Sequence, residues 1–162
     1  MKMRVHPWRT KITFGQTLNS GASGDVAFDA GGTIANSGNI SELNELFNEF
    51  RIHSITLRYV PRYRDYTGYI GLTAAYTPGD ASTLETYSSM TNFIEDLESA
   101  PGFFGQMCTA QSITFKVNSP KFGLEDEGND KNSYVAYAGY HESGLATAEF
   151  GKILITWDVT LF

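Results

Sequence analysis

An all-β sandwich is the fold class this sequence predicts, and three observations predict it. Charged residues make up only 19% of the chain while aromatics reach 14%, with 11 Phe, 9 Tyr and 16 Gly. Several segments alternate apolar and polar residues at a period of two, the mark of a half-buried strand. Turn formers punctuate them: Asn19-Ser20-Gly21, Gly31-Gly32, Pro61, Pro78-Gly79-Asp80, Pro101-Gly102, Pro120 and Gly128-Asn129-Asp130.

The last segment is the clearest. From Lys152 to Phe162, Ile153, Ile155, Trp157, Val159 and Leu161 alternate with Lys152, Thr156, Asp158 and Thr160. Arg9–Leu18 places Ile12, Phe14 and Leu18 opposite Lys11, Thr13 and Thr17. Arg51–Val60 places Ile55, Leu57 and Tyr59 opposite Ser54, Thr56 and Arg58. Tyr66–Tyr76 sets Ile70, Leu72, Ala74 and Tyr76 against Thr67, Tyr69 and Thr73. Ser112–Asn118 sets Ile113, Phe115 and Val117 against Ser112, Thr114 and Lys116. Tyr134–Tyr140 is aromatic on both parities, as a strand buried on both faces would be. Asp25–Asp29 and Phe103–Thr109 are weaker candidates. These make about eight strands, the number in a double-sheet antiparallel jelly roll.

Two short helices interrupt them. Ser41–Phe50 carries Ile40, Leu43, Leu46, Phe47 and Phe50 at helical spacing, with Asn39 and Glu42 at capping-box spacing. Within Ser82–Glu98, Phe93, Ile94 and Leu97 form an apolar stripe, and Glu95, Asp96 and Glu98 form a solvated side. The 162 residues suit one domain, residues 1–162, with residues 1–8 as a short N-terminal arm.

Charge is unevenly spread. The net charge is −6, but residues 1–64 hold 8 of the 12 Lys and Arg against 5 acids. Residues 65–162 hold the other 4 against 13 acids. Such a split can present one basic and one acidic face.

No apolar run reaches the length of a membrane span, and Met1–Trp8 lacks the apolar core of a signal peptide. A soluble protein made in a reducing compartment is expected. Cys108 is the single cysteine, so it forms no intramolecular disulfide and reads as a small buried residue.

Catalytic motifs are missing. His6, His53 and His141 lie far apart in sequence, with no His-x-His or His-Glu-x-x-His spacing for a transition metal. His53, at a strand start, reads as structural or as an interface residue, and His141, beside Glu142, as a solvent-exposed loop residue. No nucleophile elbow or phosphate-binding glycine loop occurs, and Gly21-Ala22-Ser23-Gly24 is a turn. The chain is therefore not expected to be an enzyme. Glu125-Asp126-Glu127-Gly128-Asn129-Asp130 is the densest oxygen cluster, but it lacks EF-hand spacing and reads as a solvated loop.

The bases form two groups. Lys2, Arg4, Arg9 and Lys11 accompany His6 and Trp8; phosphates recruit such cations, and an exposed Trp can stack on an unpaired base. Arg58, Arg62 and Arg64 flank Pro61 with Tyr59, Tyr63 and Tyr66, suiting nucleic-acid contact or subunit salt bridges. Phe103, Phe104 and Tyr140 are candidate interface aromatics.

Asn48–Asp80 carries a longer pattern. Phe50-Arg51 leads into Ile55-Thr56-Leu57-Arg58-Tyr59-Val60-Pro61, and Gly68-Tyr69-Ile70-Gly71-Leu72 continues to Tyr76-Thr77-Pro78-Gly79-Asp80. With the glycine-led final strand Gly151–Leu161, it resembles the shell-domain coat proteins of small icosahedral viruses. It is similar to the satellite and tombus-like RNA viruses and to circular single-stranded DNA viruses sharing their jelly roll. The likeness covers about Arg9 to Phe162.

The resemblance implies a capsid protein that self-assembles into a T=1 shell of about 60 copies around a single-stranded DNA or RNA genome. It implies a virion location and synthesis in the host cytoplasm or nucleus. Calcium between subunits is the only cofactor it suggests. The family's long basic arm is nearly absent here, with only Lys2, Arg4, Arg9 and Lys11 before or within the first strand. Two rivals stand beside it. A carbohydrate-binding β-sandwich would stack sugars on Trp8 and Tyr-rich loops, and a cupin-type enzyme would need the clustered histidines this chain lacks.

Overall fold

In a computed structural model, residues 6–19, 25–62, 64, 67–82, 84–97, 101–125, 131–142 and 149–162 are described. Among them are nine strands. They are β1 (Trp8–Asn19), β2 (Asp25–Gly32), β3 (Glu49–Pro61), β4 (Tyr69–Tyr76), β5 (Gly102–Gln106), β6 (Gln111–Lys116), β7 (Phe122–Gly123), β8 (Val135–Glu142) and β9 (Glu149–Leu161). Helix α1 spans Ile40–Leu46 and α2 spans Met90–Leu97.

One sheet runs β1-β9-β3-β6, with β7 beside the start of β3; the other runs β2-β8-β4-β5. Every pairing is antiparallel. Leaving aside the two-residue β7, β1 joins β9, β2 joins β8, β3 joins β6, and β4 joins β5. A long hairpin wrapped into two sheets pairs in this order, which is the jelly roll. Strand β7 carries no sequence signal, because two residues cannot show a period.

Alternation on β9 fills the space between the sheets. Ile153, Ile155, Trp157, Val159 and Leu161 are all buried. β3 contributes Phe50 and Ile52, then Ile55, Leu57 and Tyr59. That change of parity is made by a bulge between Ile52 and Ser54. From the other sheet come Ile70, Leu72, Phe103, Val135 and Tyr137. Large polar tips are satisfied inside: Trp157 Nε1 donates to the Ser133 carbonyl at 2.8 Å, and Tyr59 OH donates to the Met107 carbonyl at 2.7 Å.

Several expectations change. The first helix ends at Leu46; Phe47 is already extended (φ −124°, ψ 153°), and Phe50 heads β3. Phe50 matches the helical period but is taken by the sheet, where it pairs with Leu161 and Phe122. Asn39 is the residue at the N-cap but makes no side-chain cap. On α2 the buried stripe is Met90 and Phe93 with Leu97 half-buried, while Ile94 is 46% exposed. Cys108 is half-buried in a turn, its thiol 3.7 Å from Gln106 Oε1.

His141 is the largest correction. It lies within β8, not in a loop, and is 0% exposed. Its ring packs on Phe150 (4.4 Å between centroids) and Phe28 (6.4 Å). Phe103 is buried against Tyr59, and Tyr140 is half-buried, which leaves Phe104 as the exposed member of the expected aromatic trio.

Candidate nucleic-acid interface

Each sheet turns one face inward and one outward, so the polar parity of each strand builds an outer face. On the first sheet, the register lines these residues into rows across the strands. Lys11 faces Asp158, Asp158 faces Ser54, and Ser54 faces Lys116. The next row is Thr13, Thr156, Thr56 and Thr114. The row after that is Gly15, Leu154, Arg58 and Ser112. Toward the other end lie Arg9, Thr160 and Arg51.

This face is basic. Strands β1, β3, β6, β7 and β9 carry Arg9, Lys11, Arg51, Arg58, Lys116 and Lys152, all exposed. Their acids are Glu49 and Glu149 at strand starts and Asp158 in the middle. Asp158 is held by Arg9 in a bidentate bridge, Nε to Oδ1 at 3.0 Å and Nη2 to Oδ2 at 2.9 Å. These hydrogen bonds lower the Asp158 carboxyl below its ordinary value, against partial burial, with Arg9, His53 and Lys11 adding through their charge. Arg51 stands 5.9 Å from the centroid of the Phe162 ring. His53 sits at the β3 bulge, its Nε2 2.7 Å from Thr160 Oγ1, which supports a structural role.

The second sheet has the opposite outer face. Strands β2, β4, β5 and β8 and helix α2 contain no Lys or Arg. They contain Asp25, Asp29, Glu142, Glu95 and Asp96. Much of this face is covered: Phe93 of α2 sits on Gly71, and Leu97 lies over Gly102. Tyr87 stacks edge-on against Phe93 at 5.2 Å and hydrogen-bonds Thr73 at 2.9 Å. Beside the helix, exposed Phe104 stacks on Tyr69 at 5.6 Å. The charge difference between the two faces does not follow the two sequence halves: Lys116 and Lys152 join the basic face from the second half, and Asp29 joins the acidic face from the first.

The structure brings together two groups that are separate in sequence. Arg9 and Lys11 on β1 share one face with Arg58 on β3, because β9 lies between those strands. Arg62 lies just past β3 and bridges Glu149 at 2.8 Å; Arg64 is exposed beyond it. Trp8 takes the inward parity, opposite Leu161, and stacks on Phe47 at 6.1 Å, so it stands away from the basic face although 51% exposed. Lys2 and Arg4 lie outside the described residues, as do Asp126 to Asp130 of the acidic cluster. Arg51, Lys116 and Lys152 join the basic face without having been singled out as candidates. Their place on the polar parity of a strand was the available signal.

Among the described residues, no group of three or more His, Cys, Asp or Glu stands close enough to hold a metal ion. No helix of the described residues is long and apolar enough to cross a membrane.

Neither a protein-family model nor a curated protein sequence matches the chain. Solved structures do. The chain is similar to a giant freshwater prawn (Macrobrachium rosenbergii) nodavirus semi-empty virus-like particle, with 14% identity and a TM-score of 0.59, over 96% of this chain and 94% of that one. Mud crab tombus-like virus gives 10% identity and a TM-score of 0.63, over 98% and 90%. Cucumber leaf spot virus gives 14% identity and a TM-score of 0.64, over 99% of this chain and 56% of that one. At these identities the likeness establishes the fold: the chain carries the jelly roll from which the capsid proteins of small icosahedral viruses are built.

Proposed function

We propose that the chain is a capsid protein, a structural protein without enzymatic activity, whose copies close into an icosahedral shell around a single-stranded genome. The observation that carries this reading is the pairing of a shell-type jelly roll with opposite charge on its two outer faces. A subunit that encloses a polyanion needs its basic face inward, where phosphates lie. Arg9, Lys11, Arg58 and Lys116 then take up work that long basic arms do in related shells. Lys2 and Arg4, which precede β1 in the sequence, are proposed to add cationic contacts to nucleic acid. Arg62 and Arg64, past the end of β3, suit a contact between neighbouring subunits.

The smallest icosahedral shell places about 60 copies in identical surroundings, the T=1 arrangement. About 60 copies of a 17.9 kDa chain weigh about 1.1 MDa, and about 180 copies weigh about 3.2 MDa. Particle mass therefore tests both the assembly and its size. A closed particle near the lower mass, with nuclease-protected nucleic acid inside, is the expected result. A monomer that binds a glycan array would replace this reading with the carbohydrate-binding one. Calcium between subunits predicts a shell that loosens when a chelator is added, and a shell unchanged by chelation excludes that role.

A further inference from the structure

The basic face has a feature that charge alone does not explain. Thr13, Thr156, Thr56 and Thr114 form one unbroken row across four strands, at right angles to them. Strands lie about 4.8 Å apart, so the row is roughly 14 Å long. The hydroxyls pair as Thr13 with Thr156 at 2.9 Å and Thr56 with Thr114 at 2.8 Å. Each pair uses one O–H internally and leaves the other free to donate outward. The row floors a shallow trough of about 510 Å³. Lys11 and Lys116 stand at the ends of the neighbouring row on one side, and Arg58 stands in the neighbouring row on the other. Asp158, the acid in the trough wall, already has its carboxylate oxygens on Arg9.

We propose that this threonine row is a track for the phosphodiester backbone of a single strand of nucleic acid, gripped through its phosphates and not its bases. The proposal rests on the genome-enclosing reading above and names what that face holds. Hydroxyl donors on the floor and cations along both walls suit a line of phosphates, since hydrogen bonds to charged acceptors are the stronger kind. The flanking rows lie two residues, about 7 Å, to either side of the threonines, a spacing that suits a single strand. None of these rows contains an aromatic residue, so the track has no platform on which a base could stack. The large exposed apolar residues, Trp8, Leu46, Tyr69, Ile94 and Phe104, lie outside the rows, which disfavours an anionic lipid surface as the occupant.

The test measures binding of the full chain, before assembly, to four probes. They are an oligothymidylate, an abasic phosphodiester strand of equal length, a duplex, and phosphatidylserine vesicles. The abasic strand is expected to bind within about threefold of oligothymidylate, and both more tightly than duplex or vesicles. Thr56→Val with Thr114→Val keeps β-branched side chains and removes two hydroxyls, and a thermal melt checks the fold. That variant is expected to bind at least about tenfold more weakly with an unchanged salt slope. Lys116→Gln is expected to flatten the slope by about one. Oligothymidylate bound over tenfold better than the abasic strand would overturn the track. So would valines without effect, or preferred binding to vesicles. Shells that form while the unassembled chain ignores all strands would overturn the track and leave the capsid reading standing. Strand binding by a chain that never assembles would do the reverse.

Discussion

The two outer faces of this sandwich follow one rule, alternation across a pleat, and reach opposite chemistry. Among the described residues, no helix or loop covers the face of β1, β9, β3 and β6. Its threonines and serines are short and polar, and most of its long side chains are Lys and Arg, with Leu154 and the terminal acids Glu49 and Glu149 as the exceptions. The face of β2, β8, β4 and β5 is also short in places, at Gly71, Gly102, Ala136 and Ala138, yet there the small residues make room for cover. A Cβ on Gly71 would strike the Phe93 ring. Small residues therefore mean two things in one molecule. Hydroxyl-bearing ones in a bare row leave a surface open to a ligand, and glycine and alanine under a helix complete the fold.

The largest expected effect lies on the covered face. Phe93→Ala empties the site over Gly71 and is expected to cost about 3–5 kcal/mol, read by urea denaturation. A loss under about 1 kcal/mol would mean that α2 contributes little to the sandwich. On the bare face the order reverses, with little change in stability and a large change in binding. Arg58→Glu with Lys116→Glu is expected to leave stability within about 1 kcal/mol. It is expected to lower affinity for single-stranded nucleic acid at least about tenfold at low salt. Equal binding by this variant would remove the functional contrast between the faces.

The smallest effect sits at Asp158. The Arg9–Asp158 pair is exposed enough that Asp158→Asn is expected to cost under about 1 kcal/mol, and to tighten nucleic-acid binding a few-fold by removing a negative charge from the face. The pH dependence follows from the lowered carboxyl. The pair stabilises the folded chain above the ordinary carboxylate pKa of 3.8, and this stabilisation is lost as pH falls through the lower folded-state value. The stability gap between parent and variant should thus be present near neutrality and close in acid. A gap that persists unchanged in strong acid would show that it comes from packing and not from the charge.

Much of this fold is legible along the chain. The inward set of β9, from Ile153 to Leu161, could be read residue by residue, because alternation is local. The end of α1 could not, since Phe50 fits a helical stripe as well as a strand and only its pairing with Leu161 decides. The place of His141 is hidden for a related reason: β8 is apolar on both parities, so nothing in its pattern marks where the strand stops. The candidate site was legible only in parts. Lys11, Arg58 and the threonines each declare a polar parity. Thr13 and Thr156 are 143 residues apart, and only register places them side by side. Long-range pairing turns scattered polar positions into a face, and periodicity carries no information about it.

Cryo-electron microscopy of the expressed chain tests the central claim most directly. The account expects a closed icosahedral shell with the β1-β9-β3-β6 face lining its interior and nucleic-acid density against the threonine row. A persistent monomer, or a shell in which that face points outward, would contradict it.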